Sequence, residues 1–182
     1  MERETIAIHL GYNKKQGNGE MSVPISQTTA YAFRDSEHAA NLFALKELGP
    51  IYTRLTNPTT DVLEQRYAAL EGGAAAICTS SGQAASFYAV ANVAEAGDNI
   101  LISDKLYGGS VTLLTYTLKR FGIKTKVFKS DDASNLEELI DDKTKAIYFE
   151  SLSNPQIAIP AVEKIVEVAK KHGVITICDN TV

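Results

Sequence analysis

The residues best suited to chemistry stand in a short polar turn that follows an apolar run. Ser80-Ser81-Gly82-Gln83 separates the uncharged residues 74–79 from an Ala-rich segment whose apolar residues recur at helical spacing. A strand, turn and helix start of this kind would direct backbone N–H groups, the helix dipole and two hydroxyls at one place, which suits a phosphate or a carboxylate. An ordinary helix capped by Ser81 explains the same residues without a ligand. The turn therefore leaves an anion site and a plain capped helix as two interpretations.

Three further polar or aromatic residues, Tyr107, Asn154 and Asp179, each follow a predicted strand. Taken singly, they are explained as a packed aromatic, a turn former ahead of Pro155 and a capping aspartate. In open parallel sheets, however, ligands bind beyond the carboxyl ends of the strands, so all three are expected at the same edge as the turn. Together with the turn they predict a pocket for a small polar ligand.

A second group of candidates, Tyr52 and Arg54, lies in the loop over residues 51–60. In an extended segment their side chains would lie on one side, and a hydroxyl beside a guanidinium suits a phosphate oxygen. The alternative is that Arg54 pairs with a surface carboxylate while Tyr52 packs.

The elements that would position these residues alternate between helices and apolar strands. Helices are predicted over residues 37–47, 58–71, 84–94, 111–120, 135–140 and 161–172, and strands over 74–79, 100–102, 124–129, 146–149 and 174–178. This order predicts an α/β fold with a mostly parallel sheet and helices on both faces. Residues 1–57, with Gly11, Gly17 and Gly19 among polar residues, are predicted to form an extended N-terminal arm and one helix. Residues 58–182 are predicted to form the ligand-binding domain.

Composition excludes several classes of function. A net charge of −4, with no basic run longer than Lys170-Lys171, argues against binding to nucleic acid or to an anionic membrane surface. Cys78 and Cys178 lie inside apolar runs and are predicted to be small core residues in a reducing compartment. There is no run of 18 apolar residues and no apolar signal segment, so a cytoplasmic protein is expected. No metal site is predicted.

These residues resemble, over the whole chain, the pyridoxal-phosphate enzymes of cysteine and methionine metabolism, which share the fold of the aspartate aminotransferases. Tyr52-Thr53-Arg54 is similar to the family's Tyr-x-Arg segment, whose side chains reach the cofactor phosphate of a neighbouring subunit. Ser81-Gly82-Gln83 is similar to its phosphate cup, and because Met often stands where Gln83 does, only a backbone role is carried over to that residue.

The resemblance extends to the residues around the cofactor ring. Tyr107 is similar to the aromatic that stacks on the pyridine ring and assists the leaving group, and Asn154 to the residue near the phenolic oxygen. Asp179 is similar to the carboxylate that faces the pyridine nitrogen, and Thr181 belongs to the same Asp-Asn-Thr segment. The resemblance thus implies pyridoxal 5′-phosphate as the cofactor, with catalytic roles for Tyr107 and Asp179.

Within the family, residues 39–47 and 51–54 most resemble O-acetylhomoserine sulfhydrylases of methionine biosynthesis, which replace an acetoxy group with sulfide to give homocysteine. Cystathionine γ-synthases and γ-lyases are the alternatives. The resemblance implies an amino-acid substrate and a homotetramer whose sites are shared between subunits. The family's Ser-x-Thr-Lys element, which carries the cofactor-linking lysine, has no counterpart here, so we expect an inactive N-terminal part of such an enzyme. A non-catalytic half-domain that holds a phosphorylated ligand is the other interpretation, whereas a nucleotide-binding domain is disfavoured because the turn lacks G-x-G-x-x-G spacing and a P-loop lysine.

Overall fold

The computed structural model describes residues 1–16 and 18–182, so Gly17 of the predicted arm lies outside the described residues. These residues form two compact units, Met1–Cys78 and Thr79–Val182. The assignment of an arm to residues 1–57 and of a cofactor domain to 58–182 stays a prediction. Along the described ranges, no helix has both the length and the apolar character needed to cross a membrane.

The first unit consists of helices and loops. Its helices are α1 (Arg3–His9), α2 (Ser36–Phe43) and α3 (Pro58–Glu71), with a short 3-10 turn over Lys14–Gln16. The starts of α2 and α3 agree with the capping residues, because Asp35 accepts the N–H of His38 and Asn57 accepts the N–H of Thr59. Helix α1, which packs against α3, was missed within the predicted arm because it is short and its N-cap side chain makes no capping hydrogen bond.

Residues 74–79 form no strand, which makes the corresponding prediction wrong. Ile77 is 83% exposed, and Cys78 is also exposed, with its N–H donated to the Glu64 carboxylate at 2.7 Å. A strand needs a neighbour that pairs with its N–H and C=O groups, and the four strands described below pair only with one another. The apolar character of the run therefore did not suffice to make it a strand.

The second unit is built on a four-stranded parallel sheet in the order β2-β1-β3-β4. The strands are β1 (Asn99–Ser103), β2 (Lys124–Phe128), β3 (Thr144–Glu150) and β4 (Ile175–Asp179). The helices are α4 (Gly82–Ala91), α5 (Gly108–Thr112), α6 (Leu118–Arg120), α7 (Leu136–Leu139) and α8 (Val162–His172), and a π-helical turn over Leu113–Thr117 joins α5 to α6. The predicted mostly parallel α/β sheet is confirmed.

Alternate side chains of the central strands pack on opposite faces of this sheet. One face is formed mainly by Ile100, Ile102, Ala146 and Tyr148, packed against Val90 of α4 and the α5–α6 segment. The other is formed mainly by Leu101, Ile147 and Phe149, packed against α7 and α8. Helices therefore cover both faces, as predicted, and Tyr148 and Glu150 project from β3 on the side of α4.

Strand β4 departs from the prediction that residues 174–178 form a buried strand. It lies at the edge of the described sheet and pairs only with β3, and Ile175 and Cys178 are exposed. An edge strand has a neighbour on one side only, so its apolar residues gain less burial than those of β1 and β3. Cys178 therefore lies at the surface, as does Cys78 in the segment that forms no strand, so the prediction of both as core residues is wrong.

Candidate active site

A pocket of about 450 Å³ lies at the carboxyl edge of the sheet, where parallel strands bring their following loops together. Seven of the predicted site residues line it: Ser81, Gly82, Gln83, Tyr107, Asn154, Asp179 and Thr181. Glu150 and Leu152 line it as well, and sequence reasoning assigned no role to either. The whole lining comes from the second unit. Tyr52 and Arg54 belong to the first unit, and their part in a site stays a prediction.

The turn at Ser81 caps helix α4. The Ser81 backbone is extended, its Oγ accepts the N–H of Ala84 at 3.1 Å, and its carbonyl accepts the hydroxyl of Thr79 at 2.9 Å. In such a first turn the N–H groups of Gly82 and Gln83 have no acceptor within the helix. The helix is ten residues long, so its dipole adds to their attraction for an anion. The Gln83 side chain donates to Ser110 Oγ at 3.3 Å, which leaves its backbone for a ligand.

Tyr107 places an aromatic surface at the pocket. The residue is 49% exposed and precedes α5, and its N–H donates to Glu150 Oε1 at 2.7 Å. Gly109 makes room for the ring, since a Cβ built there would lie 2.5 Å from Tyr107 Cε1. The loop thus fixes the backbone of Tyr107 while one side of the ring remains accessible to a planar ligand.

Asp179, at the end of β4, is half-buried and held through both carboxylate oxygens. Oδ1 accepts the N–H of Thr181 at 3.2 Å and its hydroxyl at 2.5 Å, whereas Oδ2 accepts the phenol of Tyr148 at 3.3 Å. Tyr148 is 1% exposed and shares a hydrogen bond of 3.0 Å with Ser86. Burial, with the charge of Asp179 acting in the same direction, raises the pKa of Tyr148 to about 12. The phenol therefore stays protonated near neutral pH and serves as a donor to Asp179.

Glu150 connects two loops of the pocket. The residue is 6% exposed, with Oε1 bonded to Tyr107 N and Oε2 to Asn154 N at 3.2 Å. It also stands opposite Asp179 in the pairing of β3 with β4, so two carboxylates lie side by side on the sheet. The sequence contains one signal for this residue, an acidic group directly after the buried run of β3, where a charge is costly unless hydrogen-bonded.

The charges of the pocket define the ligand that suits it. Two carboxylates, Glu150 and Asp179, line the pocket, and no lysine or arginine of the described residues does so. The start of α4, by contrast, favours an anion. A planar ligand with a phosphate at one end and a positive charge on its ring or amine matches this distribution.

In the first unit, Tyr52 and Arg54 are neighbours through a turn. Tyr52 forms an isolated antiparallel bridge with Ala30, and its carbonyl accepts the N–H groups of Leu55 and Thr56. The Arg54 guanidinium carbon lies 5.1 Å from the centroid of the Tyr52 ring, and Arg54 makes no ion pair within residues 1–16 and 18–182. The expectation of an extended segment is wrong, yet the two side chains meet because the turn folds one onto the other.

The loop that carries this pair is fastened to the arm. Asn57 Nδ2 donates to Ser26 O at 2.9 Å and to Thr53 Oγ1 at 3.1 Å. Thr59 Oγ1 accepts the N–H of Ser26 at 2.8 Å and donates to Pro24 O at 3.0 Å. The residues that begin α3 therefore hold the arm and the Tyr52–Arg54 turn together within one unit.

Known proteins share this sequence and fold. The chain is 52% identical over 178 residues to a sulfhydrylase of Fusarium oxysporum f. sp. lycopersici and 48% identical over 178 residues to the O-acetyl-L-homoserine sulfhydrylase of Leptospira meyeri. Each match covers 98% of this chain but only 41% and 40% of the respective relative. The chain thus spans about two-fifths of the length of these curated relatives.

A crystal structure assigned to an O-acetylhomoserine (thiol)-lyase of Campylobacter jejuni superposes with a TM-score of 0.96 and 55% identity. The match covers 100% of this chain and 45% of that one, and that crystal structure contains a pyridoxyl-lysine phosphate group. Residues 4–182 also match the family model described as Cys/Met metabolism PLP-dependent enzyme. The chain belongs to this family of pyridoxal-phosphate-dependent enzymes of cysteine and methionine metabolism.

Proposed function

We propose that this chain holds pyridoxal phosphate in the pocket at the carboxyl edge of its sheet. One observation carries the proposal: a single pocket combines a capped helix start, an accessible aromatic ring and two carboxylates without a lining cation in the described residues. These features fit a ligand with a phosphate, a planar ring and a protonated ring nitrogen. The dependence of the whole family on this cofactor supports the assignment.

Each residue then has a role that its position supports. The N–H groups of Gly82 and Gln83 and the hydroxyl of Ser81 hold the phosphate at the start of α4. Tyr107 lies against the ring, and Asn154 binds the phenolic oxygen. Asp179 would accept a hydrogen bond from the protonated ring nitrogen, and Thr181 keeps its carboxylate oriented through the hydrogen bonds to Oδ1.

The chemistry depends on the charge at the ring nitrogen. When bound, pyridoxal phosphate supplies a protonated ring that accepts electrons from the reacting carbon. Asp179 keeps that proton in place because an ionised carboxylate stabilises a neighbouring cation. Tyr107 is positioned by its N–H bond to Glu150, so its ring and hydroxyl are available to the leaving group.

We place this chain as the N-terminal part of an enzyme that replaces the acetoxy group of O-acetyl-L-homoserine with sulfide, giving homocysteine and acetate. The shares of 41% and 40% in the curated relatives and the O-acetyl-L-homoserine sulfhydrylase among them support this proposal. On this proposal Tyr52 and Arg54 reach the cofactor phosphate of a neighbouring subunit in a cytoplasmic homotetramer. Their stacked arrangement, without an ion pair among the described residues, leaves the guanidinium available for such a contact.

The cofactor assignment is tested on the 182-residue chain with pyridoxamine phosphate, which carries an amine and needs no linking lysine. We expect quenching of the ligand's fluorescence to saturate, and Asp179→Asn to weaken it while leaving the binding of inorganic phosphate unchanged. With pyridoxal phosphate itself, borohydride should fix no adduct at any single lysine of this chain. A chain that binds neither pyridoxamine phosphate nor inorganic phosphate would refute the proposal.

The reaction is tested in a longer protein, in which this chain is fused to the part of a relative's sequence that this chain does not cover. Such a protein should form homocysteine from O-acetyl-L-homoserine and sulfide faster than it forms cystathionine when L-cysteine replaces sulfide. A preference for L-cysteine as the sulfur compound would assign a different reaction within the same family.

A further inference from the structure

Glu150 is a buried carboxylate whose hydrogen bonds go to two different loops of the pocket. Oε1 accepts Tyr107 N at 2.7 Å and Oε2 accepts Asn154 N at 3.2 Å, and the residue is 6% exposed. Tyr107 follows β1 by four residues, and Asn154 follows β3 by the same number. A single side chain at the end of β3 therefore ties together the loops that leave two adjacent strands.

The position requires a carboxylate rather than an apolar side chain or an amide. A buried charge is costly unless hydrogen-bonded, and here each oxygen has a backbone N–H donor. A glutamine has only one acceptor oxygen, so its amide group would face one of the two N–H groups with a donor. An apolar residue would leave both N–H groups without this acceptor.

The two neighbouring carboxylates, Glu150 and Asp179, have different hydrogen-bond partners. Glu150 and Asp179 are paired across β3 and β4, so two like charges stand side by side. The two N–H groups stabilise the charge of Glu150, while Asp179 is held by Thr181 and Tyr148. Asp179 is therefore left to pair with the positive charge of a ligand, and Glu150 contributes by fixing the loops that follow β1 and β3.

We propose that Glu150 is a positioning residue for the ring-binding half of the pocket, a role that rests on the proposed cofactor assignment. It sets the backbone of Tyr107 and of Asn154 at once, so the aromatic ring and the amide stand at a fixed separation above the end of β3. Within the described residues, the phosphate-binding turn at Ser81 has no hydrogen bond to Glu150, since its bonds go to Thr79, Ala84, Ala85 and Ser110. Glu150 thus acts on ring binding and leaves phosphate binding alone.

The test compares Glu150→Gln with Asp98→Asn in the 182-residue chain. Asp98 is a carboxylate of similar burial, 7% exposed, which accepts the N–H of Glu95 just ahead of β1, at the opposite edge of the sheet. Both variants exchange a buried carboxylate for an amide beside a backbone N–H donor, and Asp98→Asn also removes the ion pair of Asp98 Oδ1 with Lys145 Nζ at 3.8 Å. We expect Glu150→Gln to weaken pyridoxamine phosphate binding by about tenfold, whereas inorganic phosphate binds as in the unmodified chain. Asp98→Asn should leave both affinities unchanged.

The outcomes distinguish a failure of the positioning role of Glu150 from a failure of the cofactor assignment. Equal weakening of both probes by Glu150→Gln, or unchanged binding of both, would overturn the positioning role while the cofactor assignment stands. An unmodified chain that binds neither probe would overturn the cofactor assignment and this inference with it.

Hydrogen exchange of the unmodified chain tests the positioning role of Glu150 even if the Glu150→Gln variant does not fold. In the unmodified chain the amides of Tyr107 and Asn154 should both be protected, and pyridoxamine phosphate should slow their exchange further. In a folded Glu150→Gln chain the two amides should lose protection while those of β1 keep it. Rapid exchange of either amide in the unmodified chain would contradict the proposal.

Discussion

The hydrogen bond from Tyr148 to Asp179 predicts how the stability of the chain depends on alkaline pH. Burial is the main reason that the pKa of Tyr148 rises from 10.0 to about 12. In the unfolded chain the phenol loses its proton near the lower value, and in the folded chain it does so near the higher one. Between the two values the folded state binds more protons than the unfolded state, so the free energy of unfolding falls as pH rises.

The magnitude follows from the two pKa values. One pKa unit corresponds to about 1.4 kcal/mol, so the stabilisation of the folded chain by its neutral phenol, relative to the ionised phenol, amounts to about 3 kcal/mol. It is fully present below the unfolded pKa of 10.0 and is lost as pH rises through about 12. Tyr148→Phe removes the hydroxyl from a ring that is 1% exposed and keeps the packing. At neutral pH the variant should be about 1 kcal/mol less stable, because the bonds to Ser86 and Asp179 are lost.

The assay is urea unfolding of the unmodified chain and the Tyr148→Phe variant at a series of pH values from neutral to the alkaline limit. The difference in stability between the two should shrink above about pH 10 and change sign before about pH 12, since only the tyrosine must ionise. Tyr116→Phe makes the same change at an exposed ring and is the control. A difference that stays constant over the whole series would refute the burial of a neutral phenol beside Asp179.

Three other perturbations have expected results. In the longer protein, Asp179→Asn should keep the thermal melting profile but lose most turnover in single-turnover assays, because the ring nitrogen loses its carboxylate. Arg54→Ala should weaken cofactor retention there, measured by dialysis, and hybrids with subunits that lack the linking lysine should regain activity if sites are shared. The pKa of Asp141 is held well below its usual range by Lys126 and Asn99, so its contribution to stability is present above that range and lost as pH falls. Asp141→Asn should therefore flatten acid unfolding followed by circular dichroism.

Local signals in the sequence predicted the starts of three helices well. Asp35, Asn57 and Ser81 each cap a helix in the structure, and the predicted start of that helix is correct to within about two residues. Capping depends on the backbone of a few neighbouring residues, so it is visible in the sequence alone. The same holds for Gly72, whose positive φ of 65° ends α3.

Strands depend on distant partners, and here sequence reasoning succeeded only in part. Residues 100–102 and 146–149 are apolar and pair with each other in the middle of the sheet. Residues 74–79 are equally free of charge, yet no described strand pairs with them, and Ile77 is left exposed. The hydrophobicity of a segment indicates that its burial would be favourable, but it does not identify the strand or helix that would bury it.

The residues that line the pocket were predicted from their exposed chemistry, while the buried residues that hold them in place were missed. Ligand binding was predicted for Tyr107, Asn154 and Asp179 because each is a polar or aromatic residue that follows a strand, where a ligand can reach it. Tyr148 was interpreted as part of a buried strand over 146–149 and Glu150 as the first residue after it, whereas the structure extends β3 to Glu150, with exposures of 1% and 6%. Their role comes from hydrogen bonds over 31 and 43 residues of sequence, to Asp179 and Tyr107.

The arrangement of these two residues follows from the two-residue period of a strand. Tyr148 and Glu150 are two positions apart, so both project on the face that carries α4. The register with β4 sets Ile177 beside Tyr148 and Asp179 beside Glu150. A shift of one residue in that register would turn Asp179 to the opposite face and would leave the Tyr148 hydroxyl without this acceptor. The Asp179 carboxylate is therefore positioned by strand register, and its place in the pocket depends on the same pairing that builds the sheet.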